Sequence, residues 1–371
     1  MTAETLAEAG AAPLRILHID TSLELRGGEW QMLLLAQGLA RRGHGQVIAC
    51  PQGSPLEARA RSMDLSVFAL PARGRTRAIL SLRRALRAQP RDLLHAHDGK
   101  GQTLAWLASA GTAVKRVASR RVMFMPRQQV LTRLKYGYTC HAVIAVSGFV
   151  KNLLVEAGVP AKQIECVPDG VELPPAADRP NAAKRRDARE RWGLGENDFA
   201  IGVWGLAAPE KGLDIAFAAW KTVAAELPQA RLVIGVGSDN RAPGAEELDG
   251  RIRRVQRPED LADFFSGLDL FLMPSRSEGL GSAALSAMSF GVPVVATRVG
   301  GLPEIVEDGK CGWLIEPDSP QGLADAVISA ASDRRRLREF GVSAGKQAER
   351  FSVERMVEGT EALYRRLASR K

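Results

Sequence analysis

A chain of 371 residues, 45% hydrophobic and 25% charged, is long enough for two domains and too evenly composed for a disordered or fibrous protein. Its net charge of +9 is concentrated in residues 73–135, where fifteen Lys or Arg face two acids, Asp92 and Asp98. The cysteines, Cys50, Cys140, Cys166 and Cys311, form no C-x-x-C pair, and no apolar run approaches the roughly 18 residues of a membrane span, so a disulfide framework, a cysteine-bound zinc and an integral membrane protein are all disfavoured.

The start of the chain carries Glu4 and Glu8 and no apolar core, unlike a signal peptide, so a cytoplasmic protein is expected. Short apolar runs then read as strands at 14–19, 46–50, 66–70, 92–95, 116–118, 142–146 and 164–167. Helical patterns separate them, as at 29–41, where Met32, Leu35 and Leu39 share a face, and at 78–88. Three prolines and a loss of periodicity at 171–181 mark a linker. The alternation restarts with strands at 200–203, 231–234, 268–273 and 292–296 and helices at 212–225 and 282–290, and residues 320–370 read as three helices. Near-continuous apolar strands alternating with helices predict two doubly wound α/β domains in tandem, with a cleft between them. The expected boundaries are 1–172, a linker at 173–181, 182–350, and a C-terminal helix at 351–371 that could return to the first domain.

Ligands of open α/β sheets bind beyond the carboxyl ends of the strands, and four motifs fall there. Gly27 and Gly28 follow the first strand and open a helix, where free N–H groups favour an anion, although a plain tight turn explains them equally well. His95, His97 and Asp98 end the fourth strand. Two histidines on one face suggest a metal pair, but no third ligand of suitable spacing follows, so a contact to a sugar hydroxyl or a structural role is preferred. Lys211 opens a helix in the second half and could reach a diphosphate, or simply sit in solvent. Glu278-Gly279-Leu280-Gly281-Ser282 precedes a helix whose N-terminal N–H groups suit a phosphate. Glu278 could take sugar hydroxyls or merely complement the helix dipole.

Taken together, these motifs resemble glycosyltransferase family 4. Members carry paired glycines with a nearby glutamate after the first strand, a histidine near the end of the fourth, and a Lys-Gly pair opening the second domain. They also carry P-S-x-x-E-G-[FL]-G followed by G-x-P-V-V-A-T. Here Pro274-Ser275-Arg276-Ser277-Glu278-Gly279-Leu280-Gly281 and Gly291-Val292-Pro293-Val294-Val295-Ala296-Thr297 match, and Val299 to Val306 and Asp308 to Leu314 continue the likeness. The resemblance implies a GT-B fold and transfer of a sugar from a nucleotide-diphosphate sugar to a hydroxyl with retention, with no cofactor and no metal, in polysaccharide or glycolipid synthesis of the cell envelope. It implies that Lys211, Gly27, Gly28, Leu280 and Gly281 hold the diphosphate and Glu278 the donor sugar, and that His97 approaches that sugar from the first domain. Asp98, Gly279, Ser282 and Ser286 complete the expected substrate contacts.

Two positions depart from the family pattern. Leu206 stands where an arginine usually pairs with the lysine, and Ser286 where a glutamate usually takes the ribose hydroxyls. Each lost charged hydrogen bond costs about 1.5–3 kcal/mol, and Arg276 and Arg298 are near enough in sequence to substitute. Alternatives are a non-catalytic GT-B binding or partner protein and an epimerase of the same architecture, though the latter would want further carboxylates. The basic stretch reads either as a solvated face or as a surface for anionic lipid or an acidic glycolipid acceptor. No nucleic-acid motif accompanies it.

Overall fold

The computed structural model describes residues 12–71, 73–121, 129–175, 181–204, 208–236, 250–256 and 261–369. The chain divides into two compact units, one of residues 1–146, 150–168 and 353–371, the other of residues 147–149 and 169–352.

The first unit is built on strands β1 (Arg15–Ile19), β2 (Gly45–Pro51), β3 (Ser66–Leu70), β4 (Leu93–Ala96), β5 (Lys115–Arg120), β6 (Ala142–Ala145) and β7 (Ile164–Cys166). All pair in parallel, in the order β3-β2-β1-β4-β5-β6-β7. Between them run α1 (Gly27–Arg41), α2 (Pro55–Ser62), α3 (Arg75–Ala88), α4 (Gly99–Ala108), α5 (Gln129–Thr139) and α6 (Gly148–Glu156). Parallel strands need crossover helices, which cover both faces, so central strands β4 and β6 are buried at every residue. One face packs Leu17, Ala49 and Leu94 against Leu82 and Leu86 of α3 and Leu104 of α4. The other packs Ile16, Leu93, Val117 and Ile144 against Leu34, Leu35 and Leu39 of α1.

The second unit follows the same logic with α7 (Ala182–Arg191), β8 (Phe199–Trp204), α8 (Leu213–Glu226), β9 (Ala230–Val236), β10 (Ile252–Gln256), α9 (Leu261–Gly267), β11 (Leu270–Met273), α10 (Ser282–Ser289), β12 (Val294–Thr297), α11 (Leu302–Ile305), β13 (Gly312–Ile315), α12 (Pro320–Ser332) and α13 (Arg334–Glu349). Its sheet is parallel throughout, in the order β10-β9-β8-β11-β12-β13. Ile215, Ala219, Trp220 and Val223 of α8 and Leu323 and Val327 of α12 close over Ile201, Val203, Leu232 and Leu270.

The last helix, α14 (Val353–Ala368), belongs to the first unit. Met356, Val357, Leu363, Tyr364 and Leu367 join the α1 face of the core, and Tyr364 is fully buried. Gly38 of α1 lets the two helices meet, because a Cβ there would lie 2.4 Å from Val357 Cγ2. In each unit the strand order reverses direction once, between β1 and β4 and between β8 and β11. The carboxyl ends of those strand pairs are where an open α/β sheet places a ligand.

Candidate active site

At the β8/β11 reversal two segments are tied together. A 3-10 turn, Pro209–Lys211, leads through Gly212 into α8. Gly212 adopts φ +65, and a Cβ there would stand 1.9 Å from the carbonyl oxygen of Pro274. Only glycine allows the turn to lie against the segment leaving β11. Arg276 N donates to the Glu210 carbonyl at 2.8 Å, which reinforces the contact. The outcome is that Lys211 Nζ reaches Glu278 Oε1 at 2.6 Å, across 67 residues of sequence. The Ser275 hydroxyl donates to the same carboxylate oxygen at 3.1 Å. Glu278 is buried and Lys211 half-exposed, so a strong charged pair sits at the mouth of the strand ends with the lysine outermost.

Residues 279–282 carry the chain into α10. Gly281 has φ +108, a left-handed conformation that suits glycine, and as N-cap it offers no side-chain hydrogen bond. The first N–H groups of α10, beginning at Ser282, are therefore left without a side-chain cap, and this end of the helix presents partial positive charge. The Leu280 side chain is buried, so at that residue it is the backbone that remains for a ligand. Ser286 lies one turn into α10, where its hydroxyl donates to the Ser282 carbonyl at 3.0 Å. The two arginines considered as substitutes are engaged elsewhere. Arg276 binds Asp214 at 2.7 Å and Asp318 at 2.6 Å, while Arg298 binds Asp308 at 3.1 Å. Leu206 lies outside the described residues.

At the β1/β4 reversal of the first unit, His97 N donates to the Ile19 carbonyl at 2.9 Å, which fixes the two strand ends to each other. Asp98, expected as a substrate contact, N-caps α4. Its carboxylate accepts from Gly101 N at 2.9 Å, Lys100 N at 3.1 Å, Thr21 N at 3.2 Å and the Thr21 hydroxyl at 2.6 Å. Gly27 and Gly28 open α1, where Glu29 closes the first turn by accepting from Arg26 N at 2.8 Å. The neighbour nearest a Cβ at Gly28 is Arg121 Cδ, at 3.8 Å. Asp20, the residue after β1, is buried, and that burial pushes its carboxyl up to about 7 although Ser22 N donates to it.

The histidine pair is a trio. His18 of β1 stands in register with His95 of β4, and His18, His95 and His97 present ring nitrogens within 4.8 Å of one another. No third ligand follows the pair in the sequence; the third histidine precedes it and comes from the adjacent strand. Every one of the six ring nitrogens already has a protein partner. His95 meets the Tyr364 hydroxyl at 2.5 Å and the Ser119 hydroxyl at 2.8 Å. His18 meets Gln46 Oε1 at 2.8 Å and His97 at 2.9 Å, and His97 meets Arg121 at 3.1 Å. A metal would have to displace these bonds beside a guanidinium. Burial first, and then the neighbouring imidazoles and Arg121, hold His95 and His97 well below the ordinary histidine range; burial lowers His18 to about 4. The three rings are neutral at neutral pH.

Two family descriptions match the chain. "Glycosyltransferase Family 4" covers residues 25–173 and "Glycosyl transferases group 1" covers residues 199–333, so that together they span most of it. The D-inositol 3-phosphate glycosyltransferase of Segniliparus rotundus is 32% identical over 234 residues, 58% of this chain and 51% of that protein. The chain therefore spans about half the length of that relative. A GDP-mannose-dependent alpha-(1-6)-phosphatidylinositol monomannoside mannosyltransferase of Mycolicibacterium smegmatis is 28% identical, over 64% of this chain and 68% of that one. Among solved structures, Anabaena HepE in complex with UDP superposes with a TM-score of 0.82 at 20% identity, covering 94% of this chain and 99% of that one. A glycosyltransferase from Rickettsia africae superposes at 0.85 with 17% identity, over 97% of this chain and 100% of the other. At those identities the likeness shows the fold, two Rossmann-like parallel-sheet units of GT-B type. With the fold, the two family models and the sequence relatives in agreement, this chain belongs to glycosyltransferase family 4.

Proposed function

We propose that this protein is a retaining glycosyltransferase that moves a sugar from a nucleotide-diphosphate sugar to a hydroxyl of an inositol- or mannoside-type acceptor in cell-envelope glycolipid synthesis. The observation that carries the reading is the Lys211–Glu278 pair at 2.6 Å beside the side-chain-free N-terminus of α10. A departing diphosphate accumulates negative charge. Lys211 and the N–H groups at Leu280, Gly281 and Ser282 are preorganised donors for it, and each such donor is worth about 10²–10³ in rate. Glu278, held by Lys211 and Ser275, is assigned to the hydroxyls of the donor sugar.

In the first unit, His97 and the α1 start at Gly27 and Gly28 are assigned to the reacting sugar and to the phosphates. The acceptor class follows from the relatives, which are named for inositol phosphate and phosphatidylinositol mannoside substrates. Metal independence is part of the proposal, since the cationic lysine and the helix ends can do the work of a bridging ion. The basic stretch of the first unit is assigned to an anionic membrane surface. No helix among the described residues is long and apolar enough to cross a membrane.

The test is a turnover screen of UDP-, GDP- and ADP-sugars against inositol phosphate and phosphatidylinositol acceptors, with and without EDTA. Product with retained anomeric configuration in excess EDTA is expected. Absence of turnover with every donor would defeat the reading, and activity that EDTA abolishes and Mg²⁺ restores would defeat its metal-free form.

A further inference from the structure

We infer that Arg121 is a positioning residue that holds His97 as the neutral tautomer with its proton on Nε2 and its lone pair on Nδ1, and that His18 and Gln46 are oriented in turn. The inference rests on the assignment of His97 to the reacting sugar, and it goes beyond that assignment by naming the side chain that sets the ring's polarity.

The argument starts at Arg121. A guanidinium has donors only, so His97 Nδ1, at 3.1 Å from Arg121 Nη1, must accept. In a neutral ring the proton is then on Nε2, and it is donated to His18 Nδ1 at 2.9 Å. His18 in turn carries its proton on Nε2 and donates to Gln46 Oε1 at 2.8 Å. Each bond fixes the next, and the chain runs one way, from the guanidinium to the amide oxygen.

The reverse chain is self-consistent at only one end. Turning the Gln46 amide over would let its NH₂ donate to His18 Nε2, and His18 would then donate to His97 Nε2. His97 would be left with a proton on Nδ1, pointed at a guanidinium that can only donate. Arg121 therefore decides the orientation of an amide three groups away. One atom bears the consequence, because the Gln46 NH₂ group is buried without a hydrogen-bond partner among the described residues. A buried donor left unmade is expensive, so the amide would turn over if the histidines allowed it.

His18, Gln46 and His97 are each more than nine-tenths buried, so water does not compete for these bonds. Among the described residues, the titratable groups facing His18 and His97 from other elements are His95 of β4, Arg121 at the end of β5, Tyr364 of α14 through His95, and Asp20 beyond β1. None supplies a carboxylate in direct contact with His97 that would favour an imidazolium. A ring so set keeps its acceptor nitrogen on the Arg121 guanidinium. A substrate hydroxyl that took Arg121's place at Nδ1 would donate to the ring nitrogen and accept from the displaced guanidinium.

Histidine-selective ¹⁵N labelling of the full chain, with long-range ¹H–¹⁵N spectra between pH 6 and 8, reads the tautomer directly. His97 and His18 are expected as neutral Nε2–H rings over that range, assigned by His97→Ala and His18→Asn. Arg121→Met removes the guanidinium that fixes Nδ1 as the acceptor and is expected to populate the other His97 tautomer. It should also lower kcat at least about tenfold, in the range of lost orienting partners of a functional histidine, with little change in the donor KM. Arg121→Lys keeps a donor-only cation beside Nδ1 and is expected to retain both the tautomer and most of kcat. A wild-type His97 that is an imidazolium or carries its proton on Nδ1 would overturn the inference. So would an Arg121→Met protein whose kcat falls while the tautomer stays unchanged. A chain that turns over no nucleotide sugar but shows the expected wild-type tautomer would count against the glycosyltransferase reading and not against the relay.

Discussion

At the scale of single residues, the assignment turns on two charges that sequence places 67 positions apart and the fold brings to 2.6 Å. Because Lys211 and Glu278 contact each other, neither is removed cleanly. Lys211→Ala leaves a buried carboxylate without its cation, and Glu278→Ala frees a lysine to wander from the diphosphate. Each single change is expected to lower kcat by about 10²–10³. The double change should be no more than about tenfold worse than the poorer single, because groups acting as one unit are strongly non-additive. Steady-state rates of the four proteins, with circular dichroism to confirm folding, make the cycle. A double-mutant loss equal to the product of the two single losses would show that the residues act independently and the pair is incidental. The neighbouring arginine illustrates what a linear reading misses. Arg276 is two residues from Glu278 and looks available for phosphate, but Asp214 and Asp318 bracket it from distant segments. Ser286 likewise bonds its own helix, which nothing in the sequence forbids or requires.

At the scale of elements, the central strands were legible because burial on both faces makes them continuous apolar runs, as in Ala142–Ala145 and Leu270–Met273. The two strands not foreseen, Ile252–Gln256 and Gly312–Ile315, lie at the edges of the second sheet. An edge strand with two arginines, such as β10, avoids further pairing but loses the apolar pattern that would announce it. His18 was passed over for a related reason. Its place beside His95 depends on β1 pairing with β4, and strand order is not written in local periodicity. The contact of α1 with α14 is of the same kind, and it yields a test. Gly38 sits inside α1, where alanine would ordinarily gain about 1 kcal/mol in helix propensity. Here a Cβ would stand 2.4 Å from Val357 Cγ2, and overpacking of a core contact costs about 1–3 kcal/mol. The steric term should win, so Gly38→Ala is expected to be destabilising in urea melts. In a Val357→Ala background the clash is gone and the same change should stabilise. A stabilising Gly38→Ala in the native background would show that the helices have room to separate.

At the scale of the whole molecule, the charge is lopsided, and the lopsidedness coincides with exposed apolar side chains. Arg75, Arg77, Arg84 and Arg87 of α3 are exposed, with no carboxylate in ion-pair distance among the described residues. Leu80 on the same helix is 58% exposed, and Trp106 of α4 and Tyr138 of α5 are exposed as well. A face kept basic only for solubility has no need of exposed leucine, tryptophan and tyrosine, whereas a lipid interface uses both kinds of residue. Residues 122–128, which add further apolar and basic side chains to the stretch, lie outside the described residues. Each arginine near an anionic leaflet is worth about 1 kcal/mol, so four together give about 4 kcal/mol, roughly a thousandfold in partitioning at low salt. Exposed charges are screened within about 10 Å at 0.1 M salt, so the preference should shrink steeply as salt rises. Sedimentation with phosphatidylcholine vesicles, with and without phosphatidylserine, at low and high salt, measures it. Binding is expected only with the anionic lipid at low salt. It should be lost when Arg75, Arg77, Arg84 and Arg87 are all changed to serine, while turnover of a water-soluble acceptor is retained. The four residues lie on α3 and none of them is assigned to donor or acceptor chemistry, so lost lipid binding with intact soluble turnover separates docking from chemistry. Equal recovery with neutral and anionic vesicles would remove the membrane assignment and return the basic face to the role of a solvated surface.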